Sequence, residues 1–373
     1  MSTLSQFRRT SGRFRANRRF YTISGSYTFT VPDGVTEILA VAIGGGGGGA
    51  KRSQNPAGGG GGGGYSKGVI AVTPGQTIAV TVGGGGEQNN SNPGGTSSFG
   101  SFCSSTGGTG CINSKGPVNG GAGSTSGVTE AFTSSGGAGG YADTTSSYGA
   151  AGGGSSGAPW GDGTPGNTLN NGTGSASGGG GWNGRAHIRL CQSSNTQQYC
   201  EGGQGTANFG QHAPVDFVNI DSGAMGGPGL FASEYLAGNP FTYSNSGATY
   251  ATRGNQKNTD GATNEWWFPW ECGGGGGGSA FSTQSNAGPE AGNGGCGAGG
   301  GAAISNTGST NVRGGNGGFG GGGGATVATS GTCFVRSGRG GTGGGGGGCS
   351  IISGSNTYAR GGAGGPGAVL VYW

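Results

Sequence analysis

The stretch Ala57-Gly-Gly-Gly-Gly-Gly-Gly-Gly-Tyr65 decides how the rest of the chain is read. Seven consecutive glycines, Gly58 to Gly64, offer no side chain to a core and leave every amide and carbonyl open for bonding. Comparable runs stand at Gly44 to Gly49, Gly273 to Gly278, Gly320 to Gly324 and Gly343 to Gly348, among 104 glycines in 373 residues. Ordering a glycine costs about 0.5–1 kcal/mol more than ordering an alanine, so ordinary side-chain burial is too small a source of stability for this chain. Such a composition resembles a low-complexity polymer. A net charge of +4, however, supplies too little self-repulsion to hold the chain open.

The backbone itself is the remaining source of order. A run without side chains can adopt the threefold polyproline II conformation, rising about 3.1 Å per residue, while keeping every N–H. Rods of this kind, packed side by side, satisfy one another's amides and carbonyls as buried backbone requires. The seven-glycine run would make a rod about 20 Å long. Collagen needs glycine at every third position with proline-rich spacers, whereas these runs are contiguous and proline totals 13. The expected fold is an all-β frame around a bundle of polyglycine II (polyproline II) helices, with negligible α-helix, because no stretch keeps helical periodicity over three turns.

Working outward, the residues around the glycine runs alternate as strands do. Tyr27, Phe29, Val31 and then Ile38, Ala40, Ala42 flank the turn Pro32-Asp33-Gly34, and 68–72 and 77–82 flank Pro74-Gly75; both read as hairpins. The last residues, Gly367-Ala-Val-Leu-Val-Tyr-Trp373, read as a closing buried strand that meets the N-terminal strands in one sheet system. The expected divisions are a basic N-terminal segment 1–22, a strand frame with the first glycine runs 23–102, a loop-rich insert 103–270, and a second glycine bundle with the closing strand 271–373.

Four motifs carry a family resemblance. They are Tyr27-Thr-Phe-Thr-Val-Pro-Asp-Gly-Val-Thr36 leading into Gly44, Gly64-Tyr-Ser-Lys-Gly68, Val72-Thr-Pro-Gly-Gln-Thr77 with Val80-Thr-Val-Gly-Gly-Gly-Gly86, and Gly365-Pro-Gly-Ala-Val-Leu-Val-Tyr-Trp373. Together these resemble the glycine-rich domain of bacteriophage tail fibres and other virion proteins; a similar strand-framed polyglycine domain occurs in receptor kinases of the anaplastic lymphoma type. The resemblance covers 24–100 and 270–373 and says nothing specific about the middle. It implies a structural, adhesive subunit at the virion surface, assembled in the host cytoplasm and exposed outside the cell. It implies no catalysis and no cofactor.

The residues agree with that implication. Only two histidines occur, His187 and His212, and neither HExxH nor GxxxxGK[ST] is present. Matches to GxGxxG carry no information at this glycine content. Asp216, Asp221 and Glu234 are scattered carboxylates with no motif to pair them. No metal site is expected.

Eight cysteines fall into neighbouring couples, Cys103 with Cys111, Cys191 with Cys200, Cys272 with Cys296 and Cys333 with Cys349. They read as up to four local disulfides among the 105 connectivities open to eight cysteines, which would suit a chain exposed to an oxidising exterior. The alternative is a set of small buried thiols. Arg8, Arg9, Arg13, Arg15, Arg18 and Arg19, with Phe7, Phe14 and Phe20 between them, hold the positive charge; the rest of the chain has 12 basic and 14 acidic residues, a balance of about −2. These arginines are the expected assembly anchor, docking an acidic groove on another virion subunit or touching packaged nucleic acid.

The insert holds the aromatic supply: Trp160, Trp182, Tyr235, Phe241, Tyr243, Tyr250 and the cluster Trp266-Trp-Phe-Pro-Trp270. Rigid aromatics among small polar residues resemble binding loops, so Trp266, Trp267, Trp270, Tyr243 and Tyr235 are candidate contacts to a host-surface polysaccharide or protein. Against this, three tryptophans just before Gly273 fit equally well as a cover for the end of a glycine lattice. The leading function is a tail-fibre or adhesin subunit mediating host attachment, a homotrimer being compatible with it and membrane insertion not expected. A capsid-attached fibre or decoration protein is the alternative within that class. A glycine/arginine-rich nucleic-acid binder is the alternative outside it, prompted by Arg313-Gly-Gly, Arg339-Gly-Gly and Arg360-Gly-Gly. A matrix or ice-binding structural protein would share the rods but need no basic anchor.

Overall fold

The computed structural model describes residues 17–53, 55–89, 92–111, 118–141, 149–166, 174–182, 188–193, 196–205, 217–218, 277, 279–282, 288–305, 311–328, 334–352 and 358–373. Among these residues there are strands and no helix, so the fold is all-β.

Alternating apolar residues build two facing antiparallel sheets. One runs Arg18–Tyr21, Ala368–Tyr372, Glu37–Ile43, Tyr65–Ala71, Thr129–Ser134. The other runs Gly25–Thr30, Thr77–Val82, Ser97–Phe99, Cys103–Ser105, Gly123–Thr125. Ile38, Ala40 and Ala42 face the layer between the sheets, with Phe29, Ile78, Val80, Phe99, Val369 and Val371. Leu39, Val41 and Ile43 face the other way, against Tyr65, Val69, Leu370 and the partly buried Phe132 and Phe319. The Glu37–Ile43 strand is thus covered on both faces, which explains its unbroken apolar run.

The N- and C-terminal strands share one sheet, as the sequence suggests, but the two predicted hairpins do not form. Gly25–Thr30 pairs with Thr77–Val82, while Glu37–Ile43 pairs with Tyr65–Ala71. Each proline–glycine turn is an arch carrying the chain from one sheet to the other. The two arches are bonded together: Val31 N–H donates to Gln76 O at 2.9 Å, Gly75 N–H to Val31 O at 2.9 Å and Val72 N–H to Thr36 O at 2.9 Å. Local turn chemistry cannot distinguish an arch from a hairpin; the apolar layer between the sheets does.

Where the strands run out of side chains, the hydrogen-bond period changes from two to three. The pairing of Ile43 with Tyr65 continues into the glycines, where the Gly44, Gly47 and Ala50 amides donate to the Gly64, Gly61 and Gly58 carbonyls. The intervening amides turn to other segments: Gly45 and Gly48 to Gly95 and Asn92, Gly46 and Gly49 to Gly365 and Gly362. The seven-glycine run does the same. Gly59 and Gly62 donate to Gly140 and Gly137, Gly60 and Gly63 to Gly346 and Gly343, Gly61 and Gly64 to Thr109 and Thr106. Its carbonyls accept from Gly154, Gly157 and Gly121, so it bonds to segments on every side and is buried throughout. At Gly61 a Cβ would stand 2.2 Å from the Asn119 carbonyl oxygen, so no other residue fits there.

Backbone hydrogen bonds also run across the division expected at 103. Residues 106–109, 119–121, 137–140 and 150–157 are bonded directly to the 44–50 and 58–64 runs, and belong to the same lattice. Within the expected N-terminal segment, Arg18–Tyr21 is an edge strand paired with Ala368–Tyr372.

A tandem repeat organises the C-terminal part. The pattern G-x-G-G-x-G recurs at 292–297, 315–320, 338–343 and 362–367, offset by 23, 23 and 24 residues. Each copy bonds to the next: Gly297 N–H to Phe319 O, Gly320 N–H to Thr342 O, Gly343 N–H to Pro366 O. Gly297, Gly320 and Gly343 take the left-handed φ of +79°, +78° and +77° that turns each copy, a conformation other residues adopt only with strain. The strands that follow them, Ala303–Ser305, Thr326–Ala328 and Cys349–Ile351, stack in parallel register between Ala280–Ser282 and Lys51–Ser53. A second parallel ladder joins Val312–Arg313, Phe334–Arg336 and Tyr358–Arg360. Between the ladders lies a small core of Ala303, Ala328, Cys349, Ile351, Val312, Val335 and Ala359.

Candidate functional site

The second ladder is where the repeat places unsatisfied chemistry at the surface. In register, Val312, Val335 and Ala359 point into the core, 1%, 0% and 3% exposed. Strand alternation sends the residues on either side of them outward. Arg313, Arg336 and Arg360 form one outward row, all exposed. Phe334 and Tyr358 form another, 51% and 68% exposed, their rings stacked at 5.1 Å between centroids and 11° between planes. Neighbouring rungs of a sheet are about 4.8 Å apart, which is why the rings meet face to face and the guanidinium groups stand in file.

Glu290 bridges to Arg313 in parallel register and continues the row by one rung. Its carboxylate pairs with the Arg313 guanidinium at 3.1 Å. Arg336 and Arg360 have no ion pair among the described residues. Of the three Arg-Gly-Gly motifs, Arg313 and Arg360 join this row; the third member is Arg336, which precedes Ser337 and so escaped the motif. The 23-residue spacing was the signal that would have found it.

The other sequence candidates are placed differently. Arg18 and Arg19 lie on the edge strand beside Ala368–Tyr372, with guanidinium carbons 5.7 Å and 5.3 Å from the Phe20 and Tyr21 ring centroids; Arg8, Arg9, Arg13 and Arg15 lie outside the described residues. So do Trp266, Trp267, Trp270, Tyr243 and Tyr235, along with both histidines. Trp182, grouped with the binding aromatics from sequence, is fully buried. Its indole N–H donates to Ser156 Oγ at 3.1 Å, and its ring meets Trp160 and Phe319 edge-on at 5.3 and 6.1 Å. Gly320 abuts it so closely that a Cβ there would stand 2.4 Å from the indole. Trp182 covers glycine backbone and makes no outside contact.

The disulfide expectation is largely overturned. Cys103, Cys111, Cys200 and Cys349 are buried thiols, which removes the pairs Cys103–Cys111, Cys191–Cys200 and Cys333–Cys349. The reason is packing: Cys103 belongs to the sandwich core with its thiol 3.8 Å from Ala40 O, whereas Cys111 and Cys200 sit among alanines of the lattice. Each acts as a small apolar residue. Burial pushes the Cys103 thiol up to about 12 and the Cys349 thiol up to about 11. Cys296 is disulfide-bonded; its expected partner Cys272, like Cys191 and Cys333, is not among the side chains described. Burial also lowers the Lys67 ammonium to about 8, although the Glu130 carboxylate opposes that shift.

No curated protein matches the sequence. The glycine-rich domain family matches residues 22–236, so the similarity runs through much of the middle segment that the motifs had left aside. With its strand frame, its glycine lattice and more than half its length in that match, the chain belongs to the glycine-rich domain family.

Proposed function

We propose that this chain is a structural virion surface protein, a bacteriophage tail-fibre or adhesin subunit, and that its glycine runs are polyglycine II rods. The observation that carries the reading is the three-residue period of hydrogen bonding in the 44–50 and 58–64 runs. A threefold rod turns the same way at every third residue and lacks side chains to keep neighbours apart. Such a body is stiffened by backbone on all sides and needs little apolar core, properties that suit a fibre exposed to changing surroundings. An experimental structure with φ and ψ near about −75° and +145° along Gly58–Gly64 supports the rods; extended β values overturn them.

The mount is assigned to the N-terminal arginines. Asn17 and Trp373 exchange backbone hydrogen bonds of 3.0 and 3.1 Å, so the chain at residue 17 is fixed at a sheet edge. In this reading residues 1–16 dock onto another virion subunit, the body faces the host cell, and no catalytic step is involved. The test is antibody labelling of particles purified from the source of the sequence. Label on the particle surface, lost when residues 1–16 are deleted although the purified body melts unchanged, supports the reading. Absence from particles together with co-purification on nucleic acid would favour the arginine/glycine nucleic-acid binder instead.

A further inference from the structure

We propose that the outward face of the Val312–Arg313, Phe334–Arg336, Tyr358–Arg360 ladder is a binding site for an acidic polysaccharide, with Arg336 and Arg360 taking successive carboxylates and Tyr358 the apolar face of a sugar ring. The proposal gives the surface-attachment reading a ligand class and rests on it for its biological setting.

Both outward rows are exposed and add little to the buried core. Like charges on adjacent rungs repel one another, and the arginine row contains two with no counter-charge among the described residues. Aromatic rings half or more in water forgo the burial that makes them stabilising. A repeat that tolerates both on one face has left it ready for a ligand that brings negative charge and a flat apolar surface together. Glu290 neutralises the Arg313 end, so the available charge lies at Arg336 and Arg360, the two rungs that also carry the stacked rings.

The chemistry selects carboxylates on a polymer. A guanidinium binds a carboxylate through two parallel hydrogen bonds, and a row of guanidinium groups at a fixed spacing suits a chain with one charge per repeating unit. Because Phe334 and Tyr358 stack on each other, each keeps only its outer face, and the ladder lacks the separate platforms on which consecutive nucleobases stack.

The test uses the purified full chain, oligogalacturonate as probe, neutral dextran as control and single-stranded DNA as competitor, read by calorimetry at several salt concentrations. Oligogalacturonate is expected to bind while dextran does not. The double variant Arg336→Gln/Arg360→Gln should weaken binding at least about tenfold, a change of about 1.4 kcal/mol, and flatten its salt dependence. Tyr358→Ala should weaken binding while leaving the salt dependence intact. All three side chains are exposed, so the melting temperatures should match the parent; should the double variant melt early, Arg360→Gln alone gives the same readout at reduced size. Binding unchanged in these variants, equal binding of dextran, or preference for DNA overturns the proposal. No binding of oligogalacturonate by the parent chain, with that chain still on particles, refutes this site alone, whereas binding to oligogalacturonate with no chain on particles refutes the virion setting alone.

Discussion

The β-sandwich and the glycine lattice solve the same problem with opposite materials. In the sandwich, Phe29 touches Phe99 and Trp373 with centroids 5.8 and 5.4 Å apart, and backbone pairing is confined to the plane of each sheet. In the lattice the 58–64 run bonds to segments all around it and contributes no side chain. One region is held by apolar area removed from water; the other by amides and carbonyls that would be costly to leave unpaired. Tolerance to mutation should therefore differ in kind. The sandwich should suffer from lost volume, the lattice from any added volume.

The sharpest break of that contrast is Gly61→Val. Its Cβ would meet the Asn119 carbonyl oxygen at 2.2 Å, and backbone cannot swing aside as a side chain does. The expected loss exceeds the roughly 1–3 kcal/mol of ordinary overpacking, and circular dichroism and thermal melting should find no native protein. A normal melt would mean that the lattice is far looser than its hydrogen bonds imply.

Phe29→Ala attacks the other region. Removing a fully buried ring should cost about 3–5 kcal/mol, measured by denaturant titration, with residual structure in the glycine region if the two regions unfold separately. Loss of both in a single transition would show that the sandwich templates the lattice.

A milder comparison lies within glycine itself. Gly75 takes φ +79° in an arch and has nothing within 4 Å of the Cβ position. Gly75→Ala should cost only about 1–2 kcal/mol of left-handed strain, far less than Gly61→Val, although both remove a glycine. Equal effects would mean that conformation and not crowding dictates the glycines.

The smallest expected effect is on alkaline stability. Cys103 and Cys349 hold their protons to about 12 and about 11 when folded, against a usual value near 9.0. Their contribution is complete below pH 9 and is lost as pH rises toward the folded values, since the unfolded chain releases these protons first, by up to about 1.4 kcal/mol per pH unit and thiol. Lys67, lowered to about 8 by burial, works in the opposite sense for one proton between about 8 and 10.5, so the two thiols set the sign. Melting temperatures should fall from pH 9 to 11. Without reductant, a thiol reagent at pH 8 should miss Cys103, Cys111, Cys200 and Cys349 in the native protein and reach all four after denaturation; fewer would restore some of the discarded disulfides.

Much of this was legible in the chain. Contiguous glycines excluded collagen, the lack of helical periodicity excluded helix, the alternation of Ile38, Ala40 and Ala42 marked a strand, and Gly367 to Trp373 announced a buried closing strand. Those features are local, and local composition reports them directly. The repeat was legible as well, in the 23-residue spacing of G-x-G-G-x-G, yet it was obscured because glycine saturates every short glycine motif. Partnership was not legible. Whether Pro32-Asp-Gly34 makes a hairpin or an arch depends on which strand lies across the apolar layer, and whether Cys103 bonds Cys111 depends on the two cores into which they fold.

The sequence alone determined the materials: an all-β chain with strands where side chains alternate and backbone-bonded runs where they vanish, because each follows from what a residue can do with its own neighbours. Only the tertiary structure decided the register that puts Arg336 between Arg313 and Arg360, the burial of Trp182 against Gly320, and the membership of 106–109, 119–121, 137–140 and 150–157 in the lattice. These depend on contacts between residues tens to hundreds of positions apart, and in a chain so rich in identical glycines no local pattern states which run lies beside which.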